Sequence, residues 1–285
     1  MKGDDPEESS RIVEEVVEKV LSGIKLGVNW SELKILEDEN SSKAKIQELG
    51  AKIATKNPET SATILAIAHS IYFDHSRGGS APDFFDAYLR LGAERIKILF
   101  FFLALSSLGK GPDGRRRAAK SAGISILGRI IAQQMGLKDE LVRKVEAGGL
   151  LCQIGRNVFM KARELGMEID DEFIDAHEVD LATRVVKKLG LDSFLLKAVD
   201  MSYVDFDEDS FSLGGIVKLA ESLTENSFDR YGKLVLQSPM PDRYDVVTKS
   251  PGDVVQRHFS ILGVGEYLEV REVPTPRQLE AIRKH

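Results

Sequence analysis

The chain has 285 residues, enough for one large domain or two small ones with a core that needs no disulfide or metal staple. With 42% hydrophobic and 29% charged residues it falls outside the disordered and low-complexity classes. Its 39 Lys plus Arg against 45 Asp plus Glu leave a net charge of −6, which argues against a dedicated nucleic-acid binder, because neutralising phosphates takes a basic surplus.

The first residues, Met1 to Ser10, are acidic and polar and lack the form of a secretory signal. Ile12, Val13, Val16, Val17, Val20, Leu21 and Ile24 then form one stripe of an amphipathic helix. That face could pack on the chain's own bundle or offer a homodimer contact. Gly27 ends the helix, and Asn29 with Glu32 resembles a capping box for the next one. A helical pattern through Ile46, Leu49 and Ile53 stops at Asn57-Pro58, where proline pushes the preceding residue out of the helical region and suits the first position of a new helix.

That new helix carries Ile64, Leu65, Ile67 and Tyr72 and is closed by the turn-rich stretch Asp74 to Pro82. His69 and His75 flank its end, where capping or core hydrogen bonding is the expected role. A short helix over Phe84 to Leu91 stops at Gly92, and Ala93 to Leu108 is apolar almost all round, as expected for a helix surrounded by others. Its run Ile96 to Leu105 contains Lys97 and is too short to span a bilayer, so no membrane association is expected, and Phe100-Phe101-Phe102 read as core. Gly109 to Gly114 reads as a loop. Lys110, Arg115, Arg116 and Arg117 form a basic cluster at the following helix start, a candidate anion patch, since cations there oppose the helix dipole unless an anion or an acidic partner compensates.

Met135-Gly136-Leu137 and Leu189-Gly190-Leu191 repeat one punctuation, in which glycine turns the chain and the next leucine folds back on the helix. Between them the pattern predicts helices over Leu141 to Gly166 and Glu178 to Leu189. Five of the nine prolines fall after Glu225, where only a helix from Ser250-Pro251, a short strand over Glu266 to Val273 and a terminal helix over Arg277 to His285 are expected. The fold class is therefore all-α, a multi-helix bundle of helix hairpins with an irregular C-terminal segment carrying a short β element. The expected organisation is an N-terminal helix (1–27), a helical domain (28–225) and a C-terminal extension packed on it (226–285).

The lone cysteine, Cys152, excludes an intramolecular disulfide and any zinc site with several thiolates, and fits a reducing compartment, with the cytoplasm the default location. Set in Gly149-Leu150-Leu151-Cys152, it reads as a small buried hydrophobe, although a nearby cation could lower its pKa and make it reactive.

Three separated segments resemble the HDOD family, signalling output domains related to HD-type metal phosphohydrolases. They are Asn57 to Phe73, Ala87 to Ile96, and Lys120 to Tyr203, within a similarity running roughly from Ala44 to Leu223. The resemblance implies an HD-domain-like fold. It also places the metal-ligand positions of the HD relatives on Lys120, on the pair Cys152-Gln153, and on Glu221. His177, in Asp175-Ala176-His177-Glu178-Val179, stands one position from the family's histidine, a rotation of about 100° on a helix. Lys120 brings an ammonium where a metal ligand would stand, and Gln153 offers only a weak neutral oxygen.

The resemblance thus implies a non-catalytic scaffold that passes signals through protein contacts, with kinase, receiver or cyclic-dinucleotide modules as expected partners and neither cofactor nor metal required. Two other readings stay open. One is a divergent metal-dependent phosphohydrolase. The other is a sensor whose eroded site, lined by Lys120, Cys152 and Gln153, binds a nucleotide without cleaving it.

Overall fold

The computed structural model describes residues 5–23, 30–38, 40–68, 83–108, 112–191, 213–229, 233–239 and 251–273. Helix α1 (Pro6–Gly23) and a 3-10 helix (Trp30–Leu36) precede α2 (Lys43–Lys56), α3 (Pro58–Ala68), α4 (Phe84–Leu91) and α5 (Ala93–Leu108). Then follow α6 (Pro112–Gln134), α7 (Asp139–Leu151), α8 (Ile154–Glu164), α9 (Asp171–Lys188) and α10 (Leu213–Asn226). The described chain ends with β1 (Leu234–Pro239), α11 (Pro251–Ile261) and β2 (Leu268–Val273). The all-α expectation holds, and the two strands are the β element of the C-terminal segment. Among the described residues no helix is long and apolar enough to cross a membrane.

The boundaries follow local chemistry. Ser42 caps α2 by accepting from the Lys45 amide, and the chain changes helix at Asn57-Pro58 as the proline requires. Asp83 and Asp86 cap α4 reciprocally, and Gln47 donates to Asp83 at 2.6 Å, tying α4 to α2. Gly136 and Gly190 adopt left-handed φ values of 72° and 61°. Leu137 then donates back to the Ala132 carbonyl and Leu191 to that of Val186, so both glycine-leucine punctuations close their helices by one motif.

Four expectations are corrected. The loop read over Gly109 to Gly114 gives way to helix already at Pro112, where α6 begins. The helix foreseen from Leu141 to Gly166 is broken at Cys152-Gln153 into α7 and α8. Helix α9 starts well before Glu178, because Asp170 accepts from the Phe173 amide and caps it there. The segment after Asn29 is a 3-10 helix rather than an α-helix. Asn29 itself, His69, Asp74, His75, Lys110 and the helix expected over Arg277 to His285 lie outside the described residues.

The core centres on α5, where Phe100, Phe101 and Phe102 are buried as expected. Helix α1 lays Ile12, Val13, Val16, Val17 and Val20 against α8 and α9. Lys188 reaches Glu14 at 3.1 Å and Glu18 at 3.3 Å along the seam. The apolar stripe of α1 is thus covered by the chain's own bundle. Helices α6, α7 and α10 pack together around Ile124, Val142, Val145, Ile216 and Val217. They approach closely because Gly149 carries no side chain where α7 crosses the Ser125 backbone of α6.

Strand β1 was not foreseen. It pairs in parallel with β2, Leu234 opposite Leu268 and Pro239 opposite Val273, with α11 in the crossover. Leu234, Val255, Phe259 and Leu262 join the main core.

Candidate functional site

The break between α7 and α8 positions the site. The chain departs from helical geometry at Gln153, with φ −94° and ψ 9°, and the Gln153 amide donates to Glu221 Oε1 of α10 at 2.7 Å. From α6, Lys120 Nζ lies 3.4 Å from the same Glu221 oxygen and 2.6 Å from Glu225 Oε1. Lys120, Gln153 and Glu221 are therefore brought together although 101 positions separate the first from the last, and Cys152 adjoins them. Cys152 donates to the Gly149 carbonyl at 3.1 Å.

The electrostatics follow from burial and pairing. Burial alone would lower the Lys120 pKa, yet the hydrogen bond to Glu225 and the charge of Glu221 outweigh it, so the ammonium is held above its usual range. Burial pushes the Cys152 thiol far up, and the Glu221 charge pushes it the same way; Lys120 opposes them without prevailing. The activation of Cys152 by Lys120 entertained from the sequence is thus corrected: the thiol is suppressed. On the flank, Arg156 of α8 binds Asp175 at 2.7 Å and Glu178 at 3.4 Å on α9. Burial raises the Glu178 pKa, Arg156 offsets part of that, and the charges of Asp175 and Glu221 add to it.

These residues do not fit a divalent metal. A bound metal needs several oxygen, nitrogen or sulfur lone pairs converging on one point. Here Glu221 Oε1 already accepts from two donors, one of them cationic, and Cys152 is held as a neutral thiol. Among the described residues no group of three or more His, Cys, Asp or Glu is arranged to hold a metal ion. His177 packs its ring 4.3 Å from that of Phe173.

The described members of the basic cluster, Arg115, Arg116 and Arg117, each have a different partner. Arg115 pairs with Glu266 at 3.0 Å, Arg116 lies over the Phe228 ring at 5.8 Å, and Arg117 donates to Asn157 at 3.0 Å. Of these three partners only Glu266 is acidic.

Several charged residues escaped the sequence reading. Glu225 stands one helical turn after Glu221, a spacing that does put two side chains on one face. The buried carboxylate of Glu146 is shared by Arg95 and, at 3.2 Å, by Arg129. Burial lowers the Arg95 pKa and the Arg129 charge adds to that, against the opposing pull of Glu146. No local pattern marks such a trio, whose members stand on three helices.

Comparison with known proteins agrees with this architecture. The HDOD domain family profile matches residues 31–193, more than half of the chain. No curated protein matches. Among solved structures, a Shewanella amazonensis protein named "Putative metal-dependent phosphohydrolase" aligns with a TM-score of 0.50 at 14% identity, covering 90% of each chain. An HDOD domain protein of unknown function from Geobacter sulfurreducens gives a TM-score of 0.45 at 17% identity, covering 86% of this chain and 88% of that one. Likeness at such identities concerns the fold alone. With the profile match spanning the helices that carry Lys120, Cys152 and Gln153, the chain belongs to the HDOD domain family.

Proposed function

We propose that this chain is a non-catalytic signal-transduction module, a scaffold that acts through protein–protein contacts. The observation that carries this reading is the single oxygen of Glu221 shared by the Lys120 ammonium and the Gln153 amide. On the resemblance read from the sequence, these are the positions at which the HD relatives hold a metal and its activated water, and here they carry an ion pair and a hydrogen bond internal to the protein. The chain keeps the helical frame of its family, and its surface is what it has to offer a partner.

Kinase, receiver or cyclic-dinucleotide modules of a signalling pathway are the partners this reading implies. The purified chain, supplied with manganese or iron, should hydrolyse no phosphomonoester or phosphodiester, and capture from its native cell extract should retain one of those module types. Hydrolysis that appears with metal, stops with chelator and is lost in Glu221→Gln would establish a divergent phosphohydrolase instead. Retention of a nucleotide with no protein partner would make the site a sensor.

A further inference from the structure

The C-terminal strands form a sheet with one side unfinished. Parallel pairs are normally embedded in larger sheets, and a two-stranded sheet is marginal in isolation. The start of β1 is met on its far side by the chain itself, through the antiparallel bridge from Phe228 to Leu234 and the bond from the Val235 amide to the Ser227 carbonyl at 2.8 Å, and its other end is Pro239, which has no amide to donate. The outer edge of β2 has no such cover: among the described residues no strand other than β1 pairs with it. A strand edge of that kind is a template for pairing with another chain.

The sequence of β2, Leu268-Glu269-Val270-Arg271-Glu272-Val273, indicates which chain. Glu269 and Arg271 are exposed neighbours on one face of the strand, 2.7 Å apart between Nε and Oε1. Two copies of an edge strand related by a two-fold axis run antiparallel, and every residue whose backbone points outward must meet another that does so. The axis must then pass through a residue and not between two. An axis through Glu269 would set that carboxylate against its own copy, and an axis through Arg271 would oppose two guanidiniums. An axis through Val270 places Glu269 of each copy opposite Arg271 of the other, with both charge pairs satisfied. In this register residues 268–272 of each copy lie opposite one another, and Pro274, which cannot donate to a ladder, follows the strand in the sequence.

We propose that the outer edge of β2 is a homodimer interface, in which two copies pair antiparallel about Val270 into a four-stranded sheet ordered β1-β2-β2-β1. This interface does not depend on whether the HDOD-like site is catalytic. It is an isologous contact specified by alternating charge, and its partner is a second copy of the chain.

Sedimentation equilibrium of the full chain tests it. The wild type should dimerise reversibly in the range of about 1 to 100 μM. Glu269→Arg alone creates two Arg–Arg oppositions and Arg271→Glu alone two Glu–Glu oppositions, so each should weaken dimerisation at least about tenfold while leaving the circular dichroism spectrum unchanged. The double variant Glu269→Arg/Arg271→Glu restores both pairs with the charges exchanged and should recover the wild-type association. A wild type that stays monomeric throughout that range would overturn the proposal. So would a dimer indifferent to both single reversals, or a double variant no better than either.

Discussion

Lys120 on α6 places its ammonium 3.4 Å from Glu221 on α10, an oxygen already hydrogen-bonded by Gln153. The pair closes the α6–α10 seam with a charge held by the chain. Its pKa is raised in the folded protein, so the stability it supplies is fully present below the unfolded lysine pKa of 10.5 and is lost as pH climbs through the higher folded value. Replacing Lys120 with Met should lower stability by about 1–2 kcal/mol at neutral pH, since Glu221 and Glu225 lose their shared cation. The gap between wild type and variant should close at strongly alkaline pH. Urea unfolding of both proteins across that range measures it, and a gap independent of pH would assign the loss to packing alone.

Glu178 has the opposite consequence for a carboxylate. Burial raises its folded pKa above the usual 4.5, so folding favours its protonated form. The associated stability is present below the unfolded value and is lost as pH rises through the folded one. Glu178→Gln, which keeps the shape and removes the titration, should therefore gain on the wild type as pH rises through the weakly acidic range. Paired melting curves from pH about 4 to 7 follow the difference.

Much of the frame was legible because its signals are local. The proline after Asn57 and the glycine-leucine endings at Gly136 and Gly190 work within one helical turn, and sequence periodicity reads at that range. Strand β1 was hidden because its partner lies 34 positions away and its own run, Leu234 to Pro239, ends in a proline that signals irregular chain. The positions of Lys120, Cys152, Gln153 and Glu221 came from resemblance, whereas Glu225 and Arg156 needed the packing of α10 and α9 to bring them beside those residues. The trio Arg95, Arg129 and Glu146 had no local mark at all.

Glu146 is 3% exposed and holds two guanidiniums. Removing one partner from a buried ionic network costs more than the network itself contributes, because the remaining charges stay out of water. Glu146→Gln should destabilise the fold by about 3 kcal/mol or more, read as a shift in the denaturation midpoint at unchanged slope. A loss below about 1 kcal/mol would mean that water reaches Arg95 and Arg129.

Cys152 should be a poor nucleophile. Its thiol is pushed far above the usual range by burial and by Glu221, so little thiolate exists at neutral pH. Alkylation by iodoacetamide should be slow in the native protein and complete in denaturant, with one group modified per chain. Replacing Glu221 with Gln removes the repelling charge while leaving Lys120 in place, and should speed native alkylation. Equal rates would show that access governs the thiol and not its ionisation.

Gly155 sets the spacing of α8 on α9. A side-chain carbon at that position would fall inside the Glu178 carbonyl group, on backbone that cannot rotate aside. Alanine is the better helix former by about 1 kcal/mol, so propensity alone would make Gly155→Ala stabilising. The steric term has the opposite sign and is larger, because the two helices must separate along a seam that also holds Arg156 against Asp175 and Glu178. The substitution should cost about 2–3 kcal/mol and loosen α1 as well, which rests on both helices. Hydrogen exchange should show α1, α8 and α9 losing protection together while α6 and α7 keep theirs. A neutral or stabilising Gly155→Ala would mean that α8 and α9 lie farther apart than the approach of Gly155 to Glu178 requires.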